Sequence, residues 1–316
     1  MGVLFALLTT LSWSIGIFPF TEAARRLGSN SLNHLRLLMA VCFLFIVSVL
    51  FNKQDFFKIF SSSYSDAWLW FGLSGIVGLA LGDYFFFDMY AILGARLGSI
   101  FTTLSPAAAL VTSKFFIDEK INALGIIGIF ITIASVAAIG LSKKETQQTA
   151  KIKFGSILRG SIFGVLAAFC QGIGLVFAKK GFMVAIQDSL IVAPVTATFM
   201  RMLVSFVSLC VFTIFLQKQK EVLIPIMQNR EDGIKFALAG ALFGPCIGVS
   251  LSLYTITFIE ATVAQTIFSL VPLVAAFISV IFFREKLRVV SVIATLVAVS
   301  GVLILIWRNE IMALLL

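Results

Sequence analysis

Apolar residues run along this chain in blocks of roughly 20, about the length that carries an α-helix across a bilayer core. Short charged or turn-like clusters separate the blocks and mark ten candidate spans: 2–20, 32–51, 67–87, 97–117, 121–141, 158–178, 194–216, 234–256, 262–283 and 288–307. Polar and apolar residues do not alternate within a block such as 121–141, which argues against an outer-membrane barrel, whose strands alternate over segments of about 10 residues. The longest polar stretch, 142–153, carries Lys143, Lys144, Glu145, Thr146, Gln147 and Gln148 near the middle of the chain. It reads as a solvated linker. The expected division is a first five-helix half at 1–142, a linker at 143–153 and a second half at 154–316.

Composition agrees with the pattern. Of the 316 residues, 60% are apolar and 12% charged, too few charges to clothe a water-soluble surface. The net charge of +9 is no nucleic-acid signature, because Lys and Arg sit mainly between the apolar blocks, where they contact headgroups. No cleavable leader is expected: the first block starts at Gly2 without a basic region before it. Cys42, Cys170, Cys210 and Cys246 all lie in apolar blocks without a C-x-x-C pair and read as packing residues. With neither clustered Cys/His ligands nor a phosphate-binding glycine loop, no metal, cofactor or catalytic residue is expected.

The two halves align with each other. Pro106 and Pro272 stand 272 − 106 = 166 positions apart. Glu119 and Glu285, Lys120 and Lys286, Gly78 and Gly244, and Gly82 and Gly248 share that offset. At offset 165 Arg36 falls on Arg201; at 158, Gly2, Phe5 and Gly16 fall on Gly160, Phe163 and Gly174. Five spans is an odd number, so the second half enters the membrane in the opposite sense. That predicts an inverted repeat around a central cavity, an architecture typical of secondary transporters.

These motifs resemble the EamA-type transporters of the drug/metabolite transporter superfamily over essentially the whole chain. The marks are Leu11-Ser12-Trp13-Ser14, Arg36 and Arg201, and Gly78-x-x-x-Gly82-Asp83, together with Leu104-Ser105-Pro106 and Leu270-Val271-Pro272. The endings Phe116-Ile117-Asp118-Glu119-Lys120 and Phe282-Phe283-Arg284-Glu285-Lys286 complete them. The resemblance implies an all-α protein of ten transmembrane helices, alternating access, and export of amino acids or other small metabolites. It further implies a multi-pass protein of a cell membrane (the bacterial inner membrane), a monomer or weak homodimer, partnered by its substrate and by lipid.

Several residues are candidates for the cavity. Trp13 and Gln171 occupy matching mid-span positions, and a central Trp is better explained by a cavity than by lipid. Asp83 lies well inside a span, where a carboxylate must be paired or wet. It either seals a helix end with Asp88, Arg96 or Arg36, or is wet and couples transport to protons. Pro106 and Pro272 remove helical N–H donors and free the carbonyls of Thr102 and Phe268. They are either packed kinks or hinges at cavity depth, and their recurrence favours hinges. Ser14, Tyr84, Thr102, Thr103, Gln265 and Ser269 supply further polar lining, with Ser99 and Thr266 on neighbouring turns. Glu119-Lys120 and Glu285-Lys286 read as helix-end anchors, and the paired G-x-x-x-G motifs as close helix contacts.

Two other classes compete. Gly72-Leu73-Ser74-Gly75 with His34 has the residue types of an intramembrane serine protease, but an enzyme gives no reason for a doubled ten-span chain. A channel could be gated by the paired prolines, but no ring of like charges is present. Orientation is contested too. Loops opposite the N-terminus carry 16 Lys and Arg against 8 on its own side, which puts both termini outside the cytoplasm. The resemblance implies cytoplasmic termini.

Overall fold

In lipid a backbone can satisfy its N–H and C=O groups only within its own segment or in a closed barrel, and the apolar blocks accordingly fold as helices. A computed structural model describes residues 1–140, 154–283 and 289–315, and no strand occurs among them. The first half contains α1 (Gly2–Leu27), α2 (Ser29–Phe56), α3 (Ser65–Gly75), α4 (Gly82–Phe101), α5 (Ser105–Phe116) and α6 (Ala123–Gly140). The second contains α7 (Phe154–Gln187), α8 (Pro194–Phe215), α9 (Gln219–Met227), α10 (Gly233–Ala241), α11 (Ser250–Phe258), α12 (Ala261–Phe268), α13 (Val271–Phe283), α14 (Val289–Ile306) and α15 (Arg308–Leu315).

Seven helices among the described residues are long and apolar enough to cross a membrane, and eight if the pair Leu296–Ile306 and Arg308–Leu314, bent by 74°, is one span. The chain is therefore an α-helical membrane protein. The expected span at 97–117 is interrupted, and that at 121–141 falls on α6, Ala123–Gly140. A 3-10 turn, Thr102–Leu104, separates α4 from α5. The expected linker 143–153 and the Glu285-Lys286 pair lie outside the described residues.

Two long helices organise the packing. α1 lies against α10 to α13, and α7 lies against α3 to α5; α2 pairs with α8, and α6 with α14. Each crossing is closed by glycine against glycine. A Cβ on Gly174 of α7 would come within 2.8 Å of the Gly78 Cα, and one on Gly16 of α1 within 3.4 Å of the Gly244 N.

The chain widens into a π-type helix at both crossings, over Ile76–Leu81 between α3 and α4 and over Leu242–Val249 between α10 and α11. Pro245 accounts for the second, since proline cannot donate to the ladder. Such turns free carbonyls, and polar side chains from neighbouring helices take them up. Asn33 Nδ2 donates to the Ala80 carbonyl at 3.1 Å, Arg36 Nη2 to that of Leu79 at 3.2 Å, and Ser12 Oγ to that of Phe243 at 2.6 Å.

The two prolines stand elsewhere than mid-helix. Pro106 lies in the first turn of α5, and Pro272 is the second residue of α13. A missing N–H costs nothing there, because first-turn donors have no intrahelical partner. Each proline follows an interruption instead, Thr102–Leu104 in one half and Ser269-Leu270 in the other. The second interruption lies against α1 hydroxyls that each share one proton: Thr10 Oγ1 between its own helix's Ala6 carbonyl at 2.9 Å and the Ile267 carbonyl at 3.2 Å, and Ser14 Oγ between the Thr10 carbonyl at 2.6 Å and the Val271 carbonyl at 3.2 Å. At the first, the position matching Ser14 is Gly172, where a Cβ would sit 2.5 Å from the Ser105 carbonyl oxygen.

Candidate functional site

A cavity of about 110 Å³ lies where α1, α7 and the two π-type stretches meet, several times the roughly 10–15 Å³ that one water needs. Its wall is built from both halves of the chain. α1 gives Trp13, Gly16, Ile17 and Phe20; α2 gives Arg36; the first π-type stretch and α4 give Gly78, Leu79, Asp83, Phe86, Phe87 and Tyr90. Thr102 comes from the interrupted segment, Gln171 and Leu175 from α7, and Arg201 from α8. The second half adds Gly244, Pro245, Val249, Ser252, Gln265, Phe268 and Val271.

One side of this wall is polar. Asp83 and Arg36 are buried and form an ion pair through Oδ2 and Nη2. Arg36 is held on every side: its Nε donates to Asn33 Oδ1 at 3.2 Å, and its guanidinium lies 5.1 Å over the Phe87 ring. The Gln171 side chain stands with the Asp83 carboxylate on this wall. Of the placements open for Asp83 in the sequence, the pair with Arg36 is formed; the Arg96 side chain lies outside the described residues.

The other side is apolar. Trp13 meets Phe268 edge-on with centroids 5.0 Å apart, and its indole lies against Gly248. Val249 stands where the other half has Asp83, next to Pro245. Phe20 packs on Phe87 at 5.2 Å, and Phe86 on Tyr90 at 4.3 Å.

The expected site residues divide accordingly. Trp13, Asp83, Thr102, Gln171 and Gln265 come together on this wall, and Ser14, Tyr84, Thr103 and Ser269 are not among its lining residues. Ser14 braces the interrupted helix, Tyr84 packs against Phe85 and Phe163, and Ser269 donates to the Thr266 carbonyl. Thr103 is buried. Pro106 and Pro272 flank the cavity through the turns before them. Sequence reasoning had not singled out Tyr90, Pro245, Ser252 or a cavity place for Arg201. Aligning Arg201 on Arg36 while Asp83 aligns on Val249 was the signal that could have found the last.

Two peripheral groups have clear partners. Glu119, beyond the end of α5, accepts from the Ala261 N–H at 2.6 Å, the Thr262 N–H at 3.3 Å and Lys179 Nζ at 3.0 Å. A carboxylate at those α12 donors also meets the positive end of the helix dipole. Ser74 donates to the Gly174 carbonyl, while the ring of His34 bonds to the Asn30 carbonyl and the Thr213 hydroxyl. Neither side chain lines the cavity.

Comparison with known proteins places the chain among similar ones. The family model described as the EamA-like transporter family matches residues 1–141 and 158–307. No curated protein matches the chain. A solved structure, titled only as the crystal structure of a protein, superposes with a TM-score of 0.66 at 15% identity, covering 98% of each chain. At that identity the likeness is one of fold.

Proposed function

The chain belongs to the EamA-like transporter family, and on that premise we propose that it is a secondary carrier moving a small metabolite by alternating access through the central cavity. Its family is one of membrane transporters within the drug/metabolite superfamily. The finer reading is of ten spans in two inverted five-helix halves, 1–142 and 154–316, joined by the linker 143–153. One observation carries it: α1 and α7 each cross the opposite half at a π-type stretch, and those stretches begin 166 positions apart, at Ile76 and Leu242. A cavity set between two matched crossings can be exposed first to one side and then to the other as the halves exchange conformations.

The interruptions before Pro106 and Pro272 act as the hinges in this reading, since each adjoins a cavity residue, Thr102 or Phe268. Glu119, bound to Lys179 on α7 and to the start of α12, ties the halves together at the end nearest the N-terminus. Asp83 is the candidate for proton coupling, with Arg36 as the partner it would release. The aromatic and hydroxyl lining suits amino acids, amphiphilic metabolites or drugs, and export is the expected direction. Arg36 and Arg201 are buried around the cavity rather than in loops; removing one from each count leaves 15 against 7, so the bias still places both termini outside the cytoplasm. A C-terminal phosphatase fusion, active only outside the cytoplasm, tests that.

The transport reading is tested by a metabolite panel on the purified protein in proteoliposomes, with wild type beside Trp13→Ala and Asp83→Asn. At least one compound should show saturable flux that both variants reduce. Wild-type flux in both variants would remove the cavity from the pathway. Flux indifferent to an imposed pH gradient would remove proton coupling through Asp83.

A further inference from the structure

Arg36 and Arg201 occupy matching places, one on α2 and one on α8, and both reach the cavity. Their surroundings differ. Arg36 has Asp83, Asn33 and the Leu79 carbonyl. Arg201 is only 4% exposed, yet its Nε and Nη1 have no hydrogen-bond partner. At the place matching Asp83 its own half has Val249. Gly78 leaves the room in which the guanidinium lies, 3.5 Å from where a Cβ would stand. The buried Tyr90 hydroxyl, also on the cavity wall, is likewise unpartnered.

A buried cation with unpartnered donors is costly, and a ligand that supplies the missing acceptors relieves that cost. Among the described residues the charged groups lining the cavity are Arg36, Asp83 and Arg201, which leaves one positive charge uncompensated. Guanidinium donors match the two oxygens of a carboxylate. From Arg201 the wall runs to Trp13, Phe20 and Phe268, which accept an apolar or aromatic body.

We propose that the cavity selects monoanionic carboxylates with an apolar or aromatic body, held by Arg201 at the carboxylate and by the Trp13 side at the other end. A zwitterion fits less well, because its ammonium group would have to compete with Arg36 for Asp83. The proposal rests on the carrier reading and narrows its substrate class.

The test is equilibrium binding to the purified full-length protein in nanodiscs, using four probes of one shape. They are 3-phenylpropionate, 3-phenylpropionamide, phenylalanine and phenethylamine. Wild type should bind 3-phenylpropionate at least tenfold more tightly than the other three. Arg201→Gln should abolish that preference, while Arg201→Lys keeps part of it. Equal affinity for the amide and the acid in wild type would overturn the proposal without any variant having to fold. So would an acid preference that survives in folded Arg201→Gln. Trp13→Ala separates the two readings. If it weakens every probe while charge selectivity is missing, the cavity binds ligands and only the anion assignment fails. If it changes no affinity, the cavity reading fails with it.

Discussion

The two crossings at the centre of the molecule are built to one plan and finished differently. Gly174 meets Gly78 at one and Gly16 meets Gly244 at the other, each beside a π-type stretch. Over the first, Gln171 faces Asp83, which is paired with Arg36. Over the second, Trp13 lies by Gly248 and Val249; Arg201, the match of Arg36, lies beside Gly78 with no acceptor for its Nε and Nη1. The two crossings share their glycine contacts; unlike side chains beside them make a cavity with a polar wall, an aromatic wall and a cation to spare. The matched positions serve architecture, and the mismatched ones are where a ligand can be told apart.

The largest expected effect comes from breaking the paired arginine against the unpaired one. Arg36→Ala strands a buried carboxylate and should cost about 3–5 kcal/mol, read as a fall in melting temperature in detergent. Arg201→Ala removes a cation whose Nε and Nη1 have no acceptor and leaves Asp83, which also feels its charge, still paired with Arg36; it should cost far less or stabilise. Equal losses would erase the contrast. Next, Val249→Asp gives Arg201 the carboxylate its half lacks; 3-phenylpropionate affinity should fall at least tenfold, about 1.4 kcal/mol, and Val249→Asn should not reproduce it. At the interrupted helices, Gly172→Ala drives a Cβ against the Ser105 carbonyl and should destabilise by about 1–3 kcal/mol. The smallest effect is at the matching place on α1, where Ser14→Ala loses one hydroxyl donor shared between the Thr10 and Val271 carbonyls, about 1 kcal/mol. If Ser14→Ala were the costlier of the two, the bracing of the second interruption would matter more than the tight fit of the first.

Much of the architecture was legible in the sequence because lipid leaves a backbone few options. Blocks of apolar residues had to become helices, and the paired glycines fall where helices touch. The prolines were harder to read. A proline inside an apolar block looks like an interior kink, whereas Pro106 and Pro272 sit just after breaks in the chain and start new helices. Block length cannot reveal where a helix stops and restarts within the membrane. For the cavity, Trp13, Asp83, Thr102, Gln171 and Gln265 were reachable by asking which polar or central residues lipid would not tolerate. Ser14, Tyr84 and Ser269 answer the same description and are turned to carbonyls or ring neighbours instead. A helix one hundred degrees out per residue separates wall from packing, and sequence fixes that angle only loosely. Arg201 was visible as half of a pair, but its lack of a partner became evident only with α8 set beside Gly78.

The central claim is that the chain carries its substrate through alternately exposed states of this one cavity. Counterflow tests it most directly: proteoliposomes preloaded with an unlabelled substrate from the panel are given the same compound in labelled form outside. The account predicts saturable uptake, accelerated by the trans substrate and lost together in Trp13→Ala and Asp83→Asn. Uptake that rises linearly with concentration and ignores the trans substrate would contradict it and mark an open channel.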